Sequence, residues 1–339
     1  MATRRTTQAD VARLAGVSTT AVSLVLNGRT GTRLSPDAVE RVRAAAATLG
    51  YRPNLTARAL SMQSSQILGF ISDGVTTGRF GNDLIRGALE EAGAQHHVLF
   101  IAETGGDPDT AAAAVEALID RQADGIIFAS THPDGLPIPP HPEDTPIVML
   151  NATSDSNVPV VLADEFDGAK RIVDLLLSSG NADRVAIVGL SRSQRFDEAV
   201  NPGVKRRLDG IWASLDEHHI AEPLEIPCDP WTLENGYAAV KNLLAMGQRP
   251  NGLICLNDRI AFGAYRALHE EGVAIPDQIS VVSFDDDDIA VYLEPKLTTA
   301  GFPYREMGAL AVRVLLSKVT PQQEYLVPMP LLVRQSVRS

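Results

Sequence analysis

Residues 7–28 read TQADVARLAGVSTTAVSLVLNG, and they decide the fold of the amino-terminal part of the chain. Thr7 with Asp10 three residues later is the pattern of a capped helix start. Val11, Ala12 and Leu14 continue at helical spacing as far as a break at Gly16. Ser18 then opens a second short helix, Thr19 to about Leu26, which stops at Asn27-Gly28. Small Ala12 permits close approach of the two helices, Gly16 permits the turn, and Val11, Val17, Val22 and Val25 supply a shared core. A third helix is predicted from Ser35-Pro36-Asp37 to Gly50, with proline at its first position and glycine at its end. Three small helices make a head whose second helix has the dimensions to enter a major groove. Helical hairpins of other kinds share this spacing, so periodicity alone leaves DNA binding open.

Charge narrows the choice. The 339 residues carry a formal net charge of −12, which at first argues against a polyanionic partner. Residues 1–60, however, hold nine arginines against three acids, a net of +6, and the remainder stands at −18. A cationic head on an acidic body attracts nucleic acid at one end and repels it elsewhere; a solvated basic face would have the same composition.

DVARLAGVSTTAVSLVLNG, with LGYRP and NLTARAL behind it, closely resembles the head and hinge of the lactose-repressor (LacI/GalR) family over residues 7–60. The resemblance implies a helix-turn-helix regulator. It places Thr19, Thr20 and Leu24 at base-reading positions, and Thr7, Ser18, Ser23 and Asn27 at phosphate-contacting positions that fix register. Leu24 departs from the family, which often has Arg or His there. A leucine cannot donate to guanine and can only pack on apolar edges such as a thymine methyl; alternatively it belongs to the core of the head. Asn54 to Leu60, including Arg58, resembles the hinge helix. That segment is too short to be stable alone. The resemblance implies that it folds on DNA beside its twin, with Leu60 wedged into the minor groove; a linker leucine packed on the body is the plainer alternative.

From residue 67 the pattern becomes strand–helix–strand. Apolar runs stand at 67–71, 98–101, 125–129, 147–150, 185–188, 252–256 and 279–284, with helical segments between most of them. This alternation predicts parallel sheets covered by helices, and a break near residue 160 divides them into two lobes. DLIRGALEEAG, DRQADGIIFAS, LNDRIAFGAY, IPDQISVVSFDD and KLTTAGFPYREMG resemble the same family's core. The implied architecture is an all-α helix-turn-helix head plus an α/β, two-lobed, periplasmic-binding-protein-like (type I) effector domain. Its expected boundaries are 1–53 for the head, 54–66 for hinge and linker, and 67–339 for the effector domain. The first lobe is expected at about 67–160 and 293–322, the second at about 161–292 and 323–339.

By position, the resemblance brings Phe80, Asn151, Arg207, Trp231, Asn257 and Asp285 to an effector, expected to be a sugar or sugar derivative. An aromatic face with Asn, Asp and Arg around it suits a polyol. Each has a plainer reading: Trp231 as a core aromatic, Arg207 as a surface ion pair, Asn257 or Asp285 as a turn or helix cap. Around Phe80 the sequence Gly78-Arg79-Phe80-Gly81 replaces the family's commoner Asn-Pro-Phe-Phe.

Asp285 to Asp288 has the look of a metal site, but consecutive side chains diverge, and a solvated loop is the expectation. Cys228 and Cys255 lack CxxC spacing and read as reduced thiols. The chain has no nucleotide-binding or hydrolase motif, no apolar run of membrane-spanning length, and an opening without the apolar core of an export signal. The expectation is a cytoplasmic homodimer, neither enzyme nor membrane protein, needing no cofactor. It would bind inverted-repeat operator DNA as a repressor under allosteric control. A sugar-binding receptor with the same two-lobed core is the alternative.

Overall fold

In the computed structural model Thr7 closes a reciprocal cap on the first helix. Its hydroxyl accepts from the Asp10 amide at 3.4 Å, and its own amide donates to the Asp10 carboxylate at 3.0 Å. The structure describes residues 6–26, 34–51, 64–74, 81–130, 137–153, 157–178, 182–190, 201–317 and 323–338. It divides into two units, Met1–Gln66 and Ile67–Ser339.

The first unit contains α1 (Gln8–Ala15), α2 (Thr19–Leu26) and α3 (Pro36–Thr48). Gly16 terminates α1 at φ 65°, a left-handed conformation that glycine adopts without a Cβ penalty. Ser18 Oγ accepts from the Ala21 amide at 3.1 Å and so caps α2. Fully buried Val11, Val22 and Val42 tie the three helices together, with Val17, Val25 and Tyr51 packed around them.

The second unit has two six-stranded sheets. The first runs β11 (Glu324–Val327), β5 (Val160–Ala163), β4 (Ile147–Leu150), β3 (Gly125–Ala129), β1 (Ile67–Ser72), β2 (Val98–Glu103), every pair parallel. The second runs β12 (Leu331–Leu332), β10 (Thr298–Gly301), β9 (Ser280–Asp285), β8 (Gly252–Cys255), β6 (Val185–Gly189), β7 (Leu224–Pro227), with only β12 antiparallel. Central β3, β6 and β8 are buried along their whole length, which is why they read as unbroken apolar runs. The helices are α4 (Gly81–Ala94), α5 (Pro108–Asp120), α6 (Glu165–Ser178), α7 (Pro202–Glu217), α8 (Leu233–Ala245), α9 (Asp258–Glu270) and α10 (Tyr304–Leu315).

The lobe boundaries drawn from sequence need correction in three places. The division expected at residue 160 falls after β5, because Val160–Ala163 pairs with β4 and belongs to the first sheet. Thr298–Gly301, expected in the first lobe with 293–322, pairs with β9 in the second. Glu324–Val327, expected in the second lobe with 323–339, pairs with β5 in the first. Each strand is only four residues long, and the sheet it joins is set by tertiary pairing, so no local period announces it. The β10 segment TTAG also lacks an apolar run. It is buried because tertiary partners satisfy its polar groups: Thr299 Oγ1 donates to Asp258 Oδ1 at 2.9 Å, and Thr298 N donates to Ser336 Oγ at 2.7 Å.

Helices α4 and α10 touch backbone to backbone. A Cβ on Gly87 would stand 1.9 Å from the carbonyl oxygen of Arg305, and one on Gly308 2.0 Å from that of Leu84. Overpacking a close contact costs about 1–3 kcal/mol. Gly87→Ala should therefore lower the stability of the 67–339 unit by that amount, seen as a lower urea midpoint for its unfolding transition with unchanged slope.

Candidate functional site

Two surfaces concentrate polar side chains. On α2, Ala21 and Val22 point into the head, and Val25 and Leu26 pack around them. The helical period then leaves Thr19 and Thr20 exposed, and Ser23 and Leu24 half-buried, on the other face. Leu24 is not part of the head's apolar cluster, which argues against the core alternative. Exposed Thr7 and Ser18 sit at the amino ends of α1 and α2, where unpaired amides and the helix dipole favour anions. Asn27, Asn54, Arg58 and Leu60 lie outside the described residues.

The second surface is a cavity of about 220 Å³ at the carboxyl ends of the strands of both sheets. That is where parallel α/β sheets leave a crevice. Asn151 enters from the end of β4, Glu165 from the start of α6, and Asp285 from the end of β9. Trp231 precedes α8, and Phe302 and Tyr304, which stack at 4.2 Å between ring centroids, follow β10. Asn151 takes φ 58°, and its Nδ2 donates to the Ser130 carbonyl at 3.1 Å. Asp285 takes φ 103°.

Arg207, on α7, is 3% exposed, so it is not a surface ion pair. Its Nε and Nη2 donate to the two Glu165 oxygens at 2.7 and 2.9 Å, and Nη1 donates to the Leu256 carbonyl at 2.5 Å. Asp285 Oδ1 lies 3.6 Å from Nη2, and the guanidinium stacks 4.5 Å above the Phe284 ring. Burial opposes the charge on Arg207, but the Glu165 and Asp285 carboxylates outweigh it and raise its pKa. The fork assigned from sequence to a ligand is thus already filled by Glu165.

Four of the six effector residues, Asn151, Arg207, Trp231 and Asp285, meet at the cavity. Phe80 lies outside the described residues. Asn257 is close by, but its side chain caps α9. Oδ1 accepts from the Ile260 amide at 2.8 Å, and Nδ2 donates to the Trp231 carbonyl at 3.4 Å. The helix-cap alternative is the one realised for Asn257. Sequence reading missed Glu165, Phe302 and Tyr304. The first follows β5 and the others follow β10, two of the strands it misplaced; a carboxylate two residues past a short apolar stretch was the available signal for Glu165.

Residues 7–54 match the description "Bacterial regulatory proteins, lacI family", and residues 173–337 match a periplasmic binding protein-like domain. The head is thus a lacI-family DNA-binding domain, and the two-sheet unit carries a periplasmic-binding-protein-like domain. It is similar to the ribose operon repressor of Haemophilus influenzae, 29% identical over 322 residues, 94% of each chain. The lac repressor dimer, solved bound to operator and an anti-inducer, is similar in fold at 24% identity. Its TM-score is 0.74 over 99% of this chain and 100% of that one. A family regulator from Enterococcus faecium with bound ribose is 25% identical, with a TM-score of 0.60 over 80% of this chain and 98% of that one.

One buried acid beside the cavity carries a pH signature. Asp258, 1% exposed at the start of α9, is pushed up to about 7 by burial and by the nearby Asp285 carboxylate. A folded-state value above the unfolded one means that its contribution is whole below the unfolded pKa of 3.8 and is lost as pH rises through about 7. Stability should fall over that window by an amount on the order of a few kcal/mol. In Asp258→Asn this part of the fall should disappear, as checked by urea midpoints of the full chain from pH 5 to 8.

Proposed function

We propose that this chain is a transcriptional repressor that binds an operator through its head and is controlled by a small ring-shaped ligand in the cavity. What carries the reading is its near end-to-end similarity to a repressor, covering head and two-sheet unit alike. A receptor with no DNA-binding role would have no use for a cationic head. Two half-sites of an inverted repeat call for a symmetric dimer, and the operator places that dimer in the cytoplasm.

In this reading Thr19, Thr20 and Leu24 face bases, with Leu24 opposite an apolar edge such as a thymine methyl. Thr7, Ser18, Ser23 and Asn27 hold phosphates, while Asn54, Arg58 and Leu60 act at the operator centre. In the cavity a sugar stacks on Trp231, with its hydroxyls on Asn151 and the Arg207–Asp285 cluster. Phe80 covers it, and Asn257 acts by holding the Trp231 backbone. Ribose in the name of the Haemophilus relative and in the Enterococcus structure favours a carbohydrate. Coupling between ligand and operator is reciprocal and typically about 1–3 kcal/mol.

Operator affinity should fall about 10³-fold or more between 50 and 200 mM salt if six or more phosphates are neutralised. Fluorescence anisotropy with a labelled inverted repeat measures this, and a flat response rejects the reading. Trp231→Ala should weaken sugar binding in calorimetric titration by about tenfold, the loss of one aromatic platform, and leave ligand-free operator binding intact.

A further inference from the structure

On α1 the buried residues Val11, Ala12 and Ala15 follow Gln8 at helical spacing, one face of the helix. Position 8 therefore extends the apolar stripe of the head by a turn, yet it holds an amide and is only half-buried. Its side chain crosses to the neighbouring helix, where Nε2 donates to the Thr19 carbonyl at 3.2 Å. A carbonyl only accepts, so this contact settles which branch of the amide is the nitrogen. Among the described residues none donates to Oε1, and Nε2 keeps a second N–H. Thr19 opens α2 and is exposed beside exposed Thr20, on the face away from buried Ala21 and Val22. The Gln8 amide thus lies at the edge of the surface proposed to face bases, tied to the helix that carries that surface.

We propose that Gln8 is a further base-reading residue of the head, presenting one N–H and Oε1 to the N7 and N6 amino group of an adenine in each half-site. The inference rests on the operator reading proposed above and adds one recognised base to it. In the major groove adenine offers an acceptor, N7, beside a donor, the N6 amino group, and a side-chain amide carries the matching pair. Guanine offers two acceptors and nothing that donates to Oε1, cytosine offers a donor alone, and thymine an acceptor with a methyl group. The hydroxyls of Thr19 and Thr20 can each donate or accept and so discriminate weakly, while Leu24 meets only apolar edges. Gln8 adds to this surface a donor and an acceptor in fixed relation. Its bond to the Thr19 carbonyl also restrains the side chain before DNA arrives, so less freedom is lost on binding.

The test is binding-site selection by the full-length protein from a library of inverted repeats with randomised half-sites. Single-base variants of the selected site are then titrated by fluorescence anisotropy at one fixed salt concentration. The parent should favour adenine at one position of each half-site by at least about fivefold over the other three bases. In Gln8→Ala that preference should fall below about twofold, while the other positions keep theirs. Gln8→Leu restores the apolar stripe and serves if the alanine variant does not fold; it should lose the same adenine preference. Preferences unchanged in the folded variants overturn the proposal. An equal loss of affinity for every sequence also overturns it, since Gln8 is then a phosphate contact or only a tie between α1 and α2. Loss of a preference for a base other than adenine overturns the assignment of that base. If the parent selects no inverted repeat, the operator reading fails, and this inference fails with it.

Discussion

The ion pair between Arg207 and Glu165 organises the ligand-facing side of the second unit. It forms where the chain first crosses from one sheet to the other, since Glu165 stands two residues past β5 and opens α6. The same guanidinium reaches the Leu256 carbonyl just beyond β8 and approaches Asp285 at the end of β9. One buried cation thus links three strand ends. Removing one partner of a buried pair typically costs about 3–5 kcal/mol because the other is left uncompensated. The arrangement persists because hydrogen bonds satisfy both charges together.

Parallel sheets make such a convergence possible. When nearly all strands point one way, their carboxyl ends and the loops after them gather on one side. Residues as distant in sequence as Asn151, Trp231 and Phe302 then share one cavity. Polar groups buried near it are satisfied by one another: Asp258 accepts from Thr299 and from the Asp287 amide, and Asn257 binds the Trp231 carbonyl. This second layer holds the cavity wall, and it accounts for residues that look ligand-facing in sequence and are structural in three dimensions.

The head obeys a simpler rule. Most of its apolar residues are spent on a small core, Leu14 of α1 being the exposed exception, and the polar face of α2 is left outward with Leu24 as the one large apolar side chain on it. A partner that reads this face meets two threonines and a leucine, a surface suited to methyl groups as much as to hydrogen bonds.

Local chemistry was readable from sequence by itself. The caps at Thr7 and Ser18, the turn at Gly16 and the apolar runs of β1, β3, β6 and β8 each depend on residues a few positions apart, so each leaves a period or a capping pair. The gathering of Asn151, Arg207, Trp231 and Asp285 was anticipated only through family resemblance, not through any pattern in the residues. Tertiary structure alone decided where β5, β10 and β11 belong, since four-residue strands are defined by partners up to about 160 positions away. It alone gave Asn257 to a helix cap and the Arg207 fork to Glu165. A carboxylate written two residues past a short apolar stretch is the same letter whether it meets solvent or an arginine. Only the fold supplies the desolvated guanidinium that turns Glu165 into a buried charge.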